Sequence, residues 1–298
     1  MKTIIRYEVI LILFVMMISS LISSAQPFVD PLNVKYQYFP QESYTDDVKN
    51  NMSSSLYEAT ILLPMELKNK DLVLVNADFT EMNFSCSGNS SLNTKLYSTS
   101  FAVGYEHGWK KSKWRTMVMF IPKINSDFKS NTSDALQMGG VVLANYKKND
   151  HLKYHFGMYY NREFFGDYMI PLLGIEWKIN TRLNLFGDLP ANMNLEYKYS
   201  KKIYVGAAFQ SVISSYRLNH GNYVREGDNV FGHNQLKVYL NYYLTDHVVL
   251  YAETGQTFYR MYNLYDRNNN PLATNSVFHK SDDGMFYTAG LAYRIRLD

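Results

Sequence analysis

Apolar and polar positions alternate along most of the chain, and a period of two is typical of β-strands whose two faces differ. The C-terminal segment shows the alternation most clearly. Every second residue from Met285 to Leu297 is apolar, including the small Ala289, whereas the set from Phe286 to Arg296 is small in its middle and cationic at its end. One face of this strand is therefore apolar along its whole length, and Arg294 and Arg296 lie on the opposite face.

The same pattern predicts about 14 strands, of which many have ten or more residues. Strands of soluble sandwiches centre on about 5 or 6 residues, whereas a tilted strand that crosses a bilayer needs about 9 to 11. The count falls to about 12 if TRLNLF and its neighbour form one bent element. The predicted strands cover residues 33–39, 57–67, 71–84, 94–109, 113–122, 136–146, 152–160, 170–180, 181–186, 191–200, 202–215, 234–245, 247–262 and 285–297.

The connections between these strands alternate between short turns and long polar segments. The short ones are KNK, KKS, KKND, INT, SKK and LTDH, and the long ones include SCSGNSSLN, NREFFGDY and YRLNHGNYVREGDNVFGH. FGDLPA is a short connection among the long ones. Because a hairpin meander places alternate connections at opposite ends, the sequence predicts an all-β fold: a single antiparallel up-and-down transmembrane β-barrel with short periplasmic turns and long extracellular loops.

The N-terminus and the composition restrict where the protein can be located and which partners it can have. Residues 1–25 have the layout of a secretory signal peptide, and residues 26–298 are predicted to form one barrel domain. We therefore expect the cell outer membrane of a Gram-negative bacterium as the location and its lipid as a partner. A single cysteine excludes an internal disulfide, and a net charge of +3 gives no support to a nucleic-acid partner.

The stretch MIPLLGIEWKINTRLNLFGDLPANMNLEYKYSKKIYVGAAFQ, residues 169–210, carries a family resemblance. Its elements P-L-L-G-I-E-W, L-P and K-K-x-Y-x-G resemble those of outer-membrane β-barrel proteins of unknown function found in Bacteroidota. The resemblance extends over most of the chain and implies a barrel fold and an outer-membrane location. It implies no activity, so no functional residue follows from it.

The predicted inward faces carry about as many acidic as basic residues, which gives the lumen no dominant sign. Several of these charges are expected at the periplasmic end, because the turn at Asn180 and the FGDLPA connection bring their strands together. One interpretation is a charged constriction, and the other is a structural ladder of ion pairs. The candidate cluster comprises Glu176, Lys178, Arg182, Glu196, Lys198, Arg294 and Arg296.

An enzymatic barrel has little support in the sequence. The motifs G-x-S-x-G and H-E-x-x-H are absent, and the seven histidines are scattered. His155 is predicted to point inward alone, and the most enzyme-like group is Asp228 with His233 and His220 in one long loop. We therefore predict no catalytic residue, no metal ion and no cofactor.

Three functions remain open at this stage. The first is a passive or weakly selective channel for small solutes. The second is a structural or surface-binding barrel with a filled lumen, and the third is a transporter of hydrophobic compounds. The sequence identifies neither a substrate nor a protein partner.

Overall fold

The fold was determined from a computed structural model that describes residues 27–43, 51–87, 93–129, 132–227, 232–272 and 283–297. The predicted signal peptide lies outside the described residues. Within the described ranges, no helix has the length and apolar character needed to cross a bilayer.

Fourteen of the strands in the described residues form the wall of a closed barrel. Three further strands, β12 (Ser214–Arg217), β13 (Tyr223–Glu226) and β16 (Tyr262–Tyr265), belong to the connections between wall strands. The wall strands are β1 (Phe28–Ser43), β2 (Asn51–Glu66), β3 (Leu72–Ser87), β4 (Thr94–Gly108), β5 (Trp114–Ser126), β6 (Leu136–Asn149), β7 (Leu152–Glu163), β8 (Gly166–Lys178), β9 (Leu183–Leu189), β10 (Asn192–Lys198), β11 (Ile203–Val212), β14 (His233–Tyr243), β15 (Val248–Phe258) and β17 (Met285–Arg296).

Every wall strand pairs with its neighbours in an antiparallel manner, and β1 pairs with β17 from Phe28↔Arg296 to Tyr38↔Tyr287 to close the barrel. This confirms the predicted antiparallel barrel of about 14 strands. The alternative of 12 strands is wrong because β9 and β10 are separate strands, which pair from Leu183↔Tyr197 to Asp188↔Asn192.

The two ends of the barrel differ in their connections, as predicted. One end, here called the turn end, has the short connections and both chain termini of the wall, and the other is called the loop end. NREFFGDY was predicted to be a long loop, and this is wrong. β7 and β8 continue through it to Glu163 and Gly166 and leave a connection of only Phe164 and Phe165.

The outer face of the wall is apolar. On β5, Val118 and Phe120 are each 54% exposed, and the alternate residues of the strand point inward. β17 shows the same division, because Phe286, Thr288 and Arg294 are buried whereas Leu291 on the other face is exposed. Large apolar side chains that are exposed in this regular way form a surface suited to lipid.

An inner sheet of β12, β13 and β16 occupies the loop end of the barrel. β12 pairs with β13, and β13 pairs with β16, all antiparallel. Two connections that the sequence predicted to be extracellular loops supply these strands. They fold inward because Tyr216, Val224 and Tyr262 are buried in one cluster with Met82, Phe84 and Leu96 of the wall.

The turn end is held by a buried aspartate outside the wall strands. Asp71 closes the turn between β2 and β3, and its carboxylate accepts hydrogen bonds from the hydroxyl of Tyr105 and from the backbone N–H of Gly108. His107 lies 3.0 Å from the same carboxylate. These contacts, with the Tyr105 hydrogen bond as the largest contribution, hold the pKa of Asp71 well below its usual range.

Ile61→Arg should impair assembly of the barrel, whereas the adjacent Thr60→Arg should be tolerated. Ile61 is exposed on the apolar outer face, where an arginine near the midplane of a bilayer costs about 2 to 4 kcal/mol. Thr60 lies opposite Asp78 in the inner face, so an arginine there gains an acidic partner. The intensity of the folded, heat-modifiable band measures the difference, and equal loss in both variants would contradict the assigned faces.

Asp71→Asn should destabilise the barrel at neutral pH, and its effect should shrink in acid. Because the pKa of Asp71 is lowered in the folded state, its stabilisation is complete above the unfolded pKa of about 4 and declines as the pH falls toward the folded value. Urea unfolding of both proteins at pH 7 and pH 3 measures this dependence. Asp246→Asn, in the exposed turn between β14 and β15, is the control. A difference that grows in acid would disprove the assignment.

Candidate functional site: the closed lumen

The inner sheet packs against the wall at the loop end of the lumen through an apolar cluster. The rings of Phe84 and Tyr262 meet edge to face with their centroids 4.9 Å apart. Leu96 and Val224 are fully buried in the same cluster, and Leu56, Leu218 and Leu264 pack against it. Contacts of this kind exclude water from between the inner sheet and strands β3 and β4.

One buried carboxylate anchors the inner sheet to the wall. Glu163, at the loop end of β7, accepts hydrogen bonds from the hydroxyl of Ser215 at 2.6 Å and from the backbone N–H of Ser215 at 3.0 Å. Lys123 of β5 donates to it at 2.7 Å, and Gln137 of β6 donates at 3.1 Å. The Glu163 side chain has no exposed surface, so its charge is held by these donors rather than by water.

Further contacts hold the other edge of the inner sheet. Glu226 of β13 accepts a hydrogen bond from Tyr262 at 3.2 Å and lies 3.0 Å from His233 Nδ1. Arg260 donates to Ser54 of β2, and its guanidinium lies 4.1 Å from the ring centroid of Phe39. The inner sheet is thus tied to both sides of the wall.

Charged side chains in the middle of the lumen are paired across neighbouring strands. Lys35 and Glu58, directly opposite each other on β1 and β2, form an ion pair at 2.9 Å. Lys237 of β14 and Glu253 of β15 form another at 2.8 Å. The amides of Gln37 and Gln235 join across the lumen at 3.1 Å, on the loop-end side of these pairs.

The turn end of the lumen brings together four of the predicted site residues. Arg296 donates to Glu196 at 2.8 Å, and Arg294 forms two hydrogen bonds with Asp30 at 2.6 and 2.7 Å. Lys198 lies near this group with its Nζ 5.7 Å from the ring centroid of Tyr204. The guanidinium of Arg296 lies 4.0 Å from the centroid of the same ring.

The remaining predicted residues contact other partners. Glu176 is 3.3 Å from Lys153 and 3.4 Å from His155, and the other ring nitrogen of His155 contacts Asp188 at 2.9 Å. His155 was expected to point inward alone, and it does lie inside, but between two carboxylates. Lys178 approaches the backbone carbonyl of Leu297 at 3.4 Å.

Arg182 was predicted to be a lumen residue, and this is wrong. It ends the turn between β8 and β9, one residue before β9 begins, and is exposed there. Its guanidinium lies 3.5 Å from the hydroxyl of Tyr197, which belongs to the outer face of β10. The period of two placed Arg182 inside because Arg182 was taken as a strand residue, whereas it belongs to the turn.

Several residues of the lumen were missed by the sequence reasoning. Asp30 was missed because the register of β1 shifts between Val29 and Leu32, which breaks the period of two. Glu163 was missed because it lay in a predicted loop. The period-two signal would have found Lys35, which lies on the inner face of a predicted strand opposite Glu58.

The middle of β5, β6 and β8 forms an apolar wall on the inner face of the barrel. The register places Met117 opposite Leu143 and Met119 opposite Val141. Leu143 and Leu172 are buried, whereas the alternate residues Val142 and Leu173 are exposed outside. The lumen therefore has this apolar wall in the middle of β5, β6 and β8, with Lys123 and Glu176 nearer the strand ends, and an ionic side around β1, β2, β14 and β15.

Of the enzyme-like group that the sequence suggested, the structure describes the side chain of His233 alone. His233 is buried against Glu226, the side chain of His220 is not described, and Asp228 lies outside the described residues. No group of three or more histidine, cysteine or acidic side chains suited to a metal ion occurs among the described residues.

A family profile described as a domain of unknown function, DUF6268, matches residues 21–294. No curated protein matches the chain. Among solved structures, the chain is similar to the COG4313 outer membrane channel from Pseudomonas putida F1, with 7% identity, 91% of this chain and 96% of that chain covered, and a TM-score of 0.48.

Two other similar structures are a hydrocarbon channel and a phospholipase. The TodX deltaS2S3 mutant, a monoaromatic hydrocarbon channel, has 10% identity, covers 90% of each chain and has a TM-score of 0.44. Outer membrane phospholipase A from Escherichia coli has 11% identity, 90% of this chain and 93% of that chain covered, and a TM-score of 0.38. At such low identity and TM-score, these similarities carry no argument about activity. The Bacteroidota origin stays a prediction.

Glu163→Ala should loosen the inner sheet while the wall stays folded. The change leaves Lys123 and Ser215 without their buried acceptor, and breaking a buried ion pair costs about 3 to 5 kcal/mol. Limited proteolysis followed by mass spectrometry should reveal faster cleavage within residues 213–232. Glu81→Ala removes the partner of Lys95 at the surface of the same end and should change little. Equal cleavage of wild type and Glu163→Ala would show that Glu163 does not anchor the sheet.

Proposed function

The chain belongs to the DUF6268 family, whose function is unknown, and we propose that it is an outer-membrane channel for small solutes that the inner sheet holds closed. The outer membrane is proposed because the closed wall pairs its backbone groups and presents an apolar outer face. The turn end then faces the periplasm, and residues 1–25 serve as the signal peptide that directs export.

The observation that carries this proposal is the way in which the inner sheet is attached. Its strands pair with each other, and their one backbone bridge to the wall in the described residues joins Arg217 to Ser126. Side-chain contacts supply the rest of the attachment. The inner sheet can therefore move without breaking the ladders that close the barrel, which is the property required of a gate.

The charges of the lumen favour weak ion selectivity. Strong selectivity requires a ring of side chains with one sign. The lumen instead pairs Lys35 with Glu58, Lys237 with Glu253 and Arg296 with Glu196. A solute passing these pairs meets no net excess of one charge. On this view the cluster at the turn end is a constriction built from ion pairs.

A second candidate function is the transport of hydrophobic compounds. The apolar wall of β5, β6 and β8, with Met119, Leu143 and Leu172 on its inner face, favours this reading. Apolar surface facing a channel offers a binding surface to solutes that lack hydrogen-bonding groups. The ionic side of the lumen argues for polar solutes, so the two candidates differ in the side that the solute contacts.

A disulfide between β5 and β12 should keep the channel closed. Ser126 and Arg217 are register partners, so cysteines there have their Cα atoms within reach of a disulfide. In a Cys86→Ser background, Ser126→Cys with Arg217→Cys should show fewer openings in planar bilayers when oxidised, and reduction should restore them. Each single-cysteine variant is the control and should not respond to reductant.

The contrary outcome would identify a different kind of barrel. If the wild type and Glu163→Ala both stay silent over many insertions, the lumen is permanently filled and the protein has a structural or surface-binding role. If the oxidised and reduced double variants conduct equally, the lumen conducts but the inner sheet is not its gate.

A further inference from the structure

The lumen keeps a cavity of about 150 Å³ on the turn-end side of the Gln37–Gln235 pair. That volume is at least about ten times the roughly 10 to 15 Å³ that holds a single water molecule. Among the side chains that line it are the amides of Asn33, Asn194 and Asn241 and the phenol rings of Tyr239 and Tyr251. These groups donate as well as accept hydrogen bonds.

Two glycines allow the tyrosines to lie against the wall. Tyr239 lies over Gly206 of β11, and Tyr251 lies over Gly290 of β17, so that a Cβ at either glycine would collide with the ring. Each of the two tyrosine rings is thereby held flat along the wall. The hydroxyl of Tyr251 donates to Asn33 at 2.8 Å, which fixes the orientation of that amide. The site is thus built from rigid strands rather than from loops.

Two polar groups at the cavity have no partner in the protein. The hydroxyl of Tyr239 and Nη1 of Arg294 are both buried without a hydrogen bond. The Arg294 side chain is only 6% exposed, so water outside the barrel does not reach it. Buried polar atoms in proteins normally have a hydrogen-bond partner. A molecule with acceptor and donor groups that enters the cavity would satisfy both.

The charges around the cavity are already neutralised. Arg294 is held by Asp30 through two hydrogen bonds, and Lys35 is paired with Glu58. Glu253 is paired with Lys237. An anion or a cation that bound here would have to displace one of these partners, whereas an uncharged solute would leave all of them in place.

We propose that this cavity binds a small, uncharged, polyhydroxylated solute such as a polyol or a monosaccharide. Hydroxyl groups match the tyrosine and asparagine side chains because they also donate and accept. The proposal deepens the proposed channel function and rests on it, because the solute must enter a lumen that the inner sheet closes. The site then selects solutes by hydrogen bonding rather than by charge.

Isothermal titration calorimetry on the purified full-length protein in detergent tests the proposal with three probes of similar size. Glucose is uncharged, glucuronate carries a carboxylate, and glucosamine carries an ammonium group. Glucose should bind at least about tenfold more tightly than either charged probe. Absence of glucose binding, or equal binding of all three probes, would mean that the cavity holds water only and would overturn the proposal.

Tyr239→Phe provides the matched variant because it removes the unpartnered hydroxyl and keeps the ring over Gly206. It should weaken glucose binding about fivefold, which corresponds to one hydrogen bond. Tyr242→Phe, on the outer face of the same strand, should leave the affinity unchanged. If Tyr239→Phe fails to fold, Asn241→Ala replaces it with the same expectation. Unchanged affinity in the lumen variant would also overturn the proposal.

Bilayer recordings separate failure of this site from failure of the channel. A protein that conducts but does not bind glucose retains its channel function and lacks the proposed site. A protein that binds glucose with the expected dependence on Tyr239, but never conducts, has the site in a barrel that is not a channel. Glucose that reduces the open-channel current of wild type, and not of Tyr239→Phe, would support both.

Discussion

The pairing of the first wall strand with the last is the constraint on which the rest of the structure depends. β1 and β17 form a ladder from Phe28↔Arg296 to Tyr38↔Tyr287. The backbone N–H of Leu297 continues the ladder by donating to the carbonyl of Pro27 at 2.9 Å. Without this ladder, two strand edges would expose unpaired backbone groups, which an apolar solvent cannot satisfy. Closure also fixes which side chains share the lumen. An apolar outer face and a polar, crowded interior both follow from it.

A closed wall forces the charges inside it to find partners within reach. Lys35 pairs with Glu58, its register partner on the adjacent strand, and Lys153 pairs with its own register partner Glu176. Such pairs follow from the register alone. The pair of Arg296 and Glu196 is different, because it joins β17 to β10 across the lumen. Pairs of this second kind tie wall strands that are not neighbours in the barrel.

This difference explains what the sequence could and could not predict. The period of two identified every wall strand, because each has one apolar and one mixed face. It failed for Arg182, because this turn residue was counted as part of the strand. It also failed for Glu163, because Asn161, Gly166 and Asp167 are residue types that are frequent in loops. It was silent on the inner sheet, because strands of four residues are too short to show a period. The link from Arg296 to Glu196 depends on barrel curvature, which no local pattern records.

The inner sheet combines two kinds of contact that respond differently to water. Its apolar cluster around Tyr216, Val224 and Tyr262 stabilises the closed conformation by burial, at about 1.5 to 3 kcal/mol for each large side chain. The Glu163 anchor instead places a charge where water is excluded, and its five donors must be replaced when the sheet moves. Water that enters from the loop end can hydrate the carboxylate of Glu163, but it does not stabilise the exposed side chains of the apolar cluster. If the inner sheet is the gate that we propose, opening it requires a gain elsewhere in the lumen, and the proposed solute beneath the sheet would supply that gain.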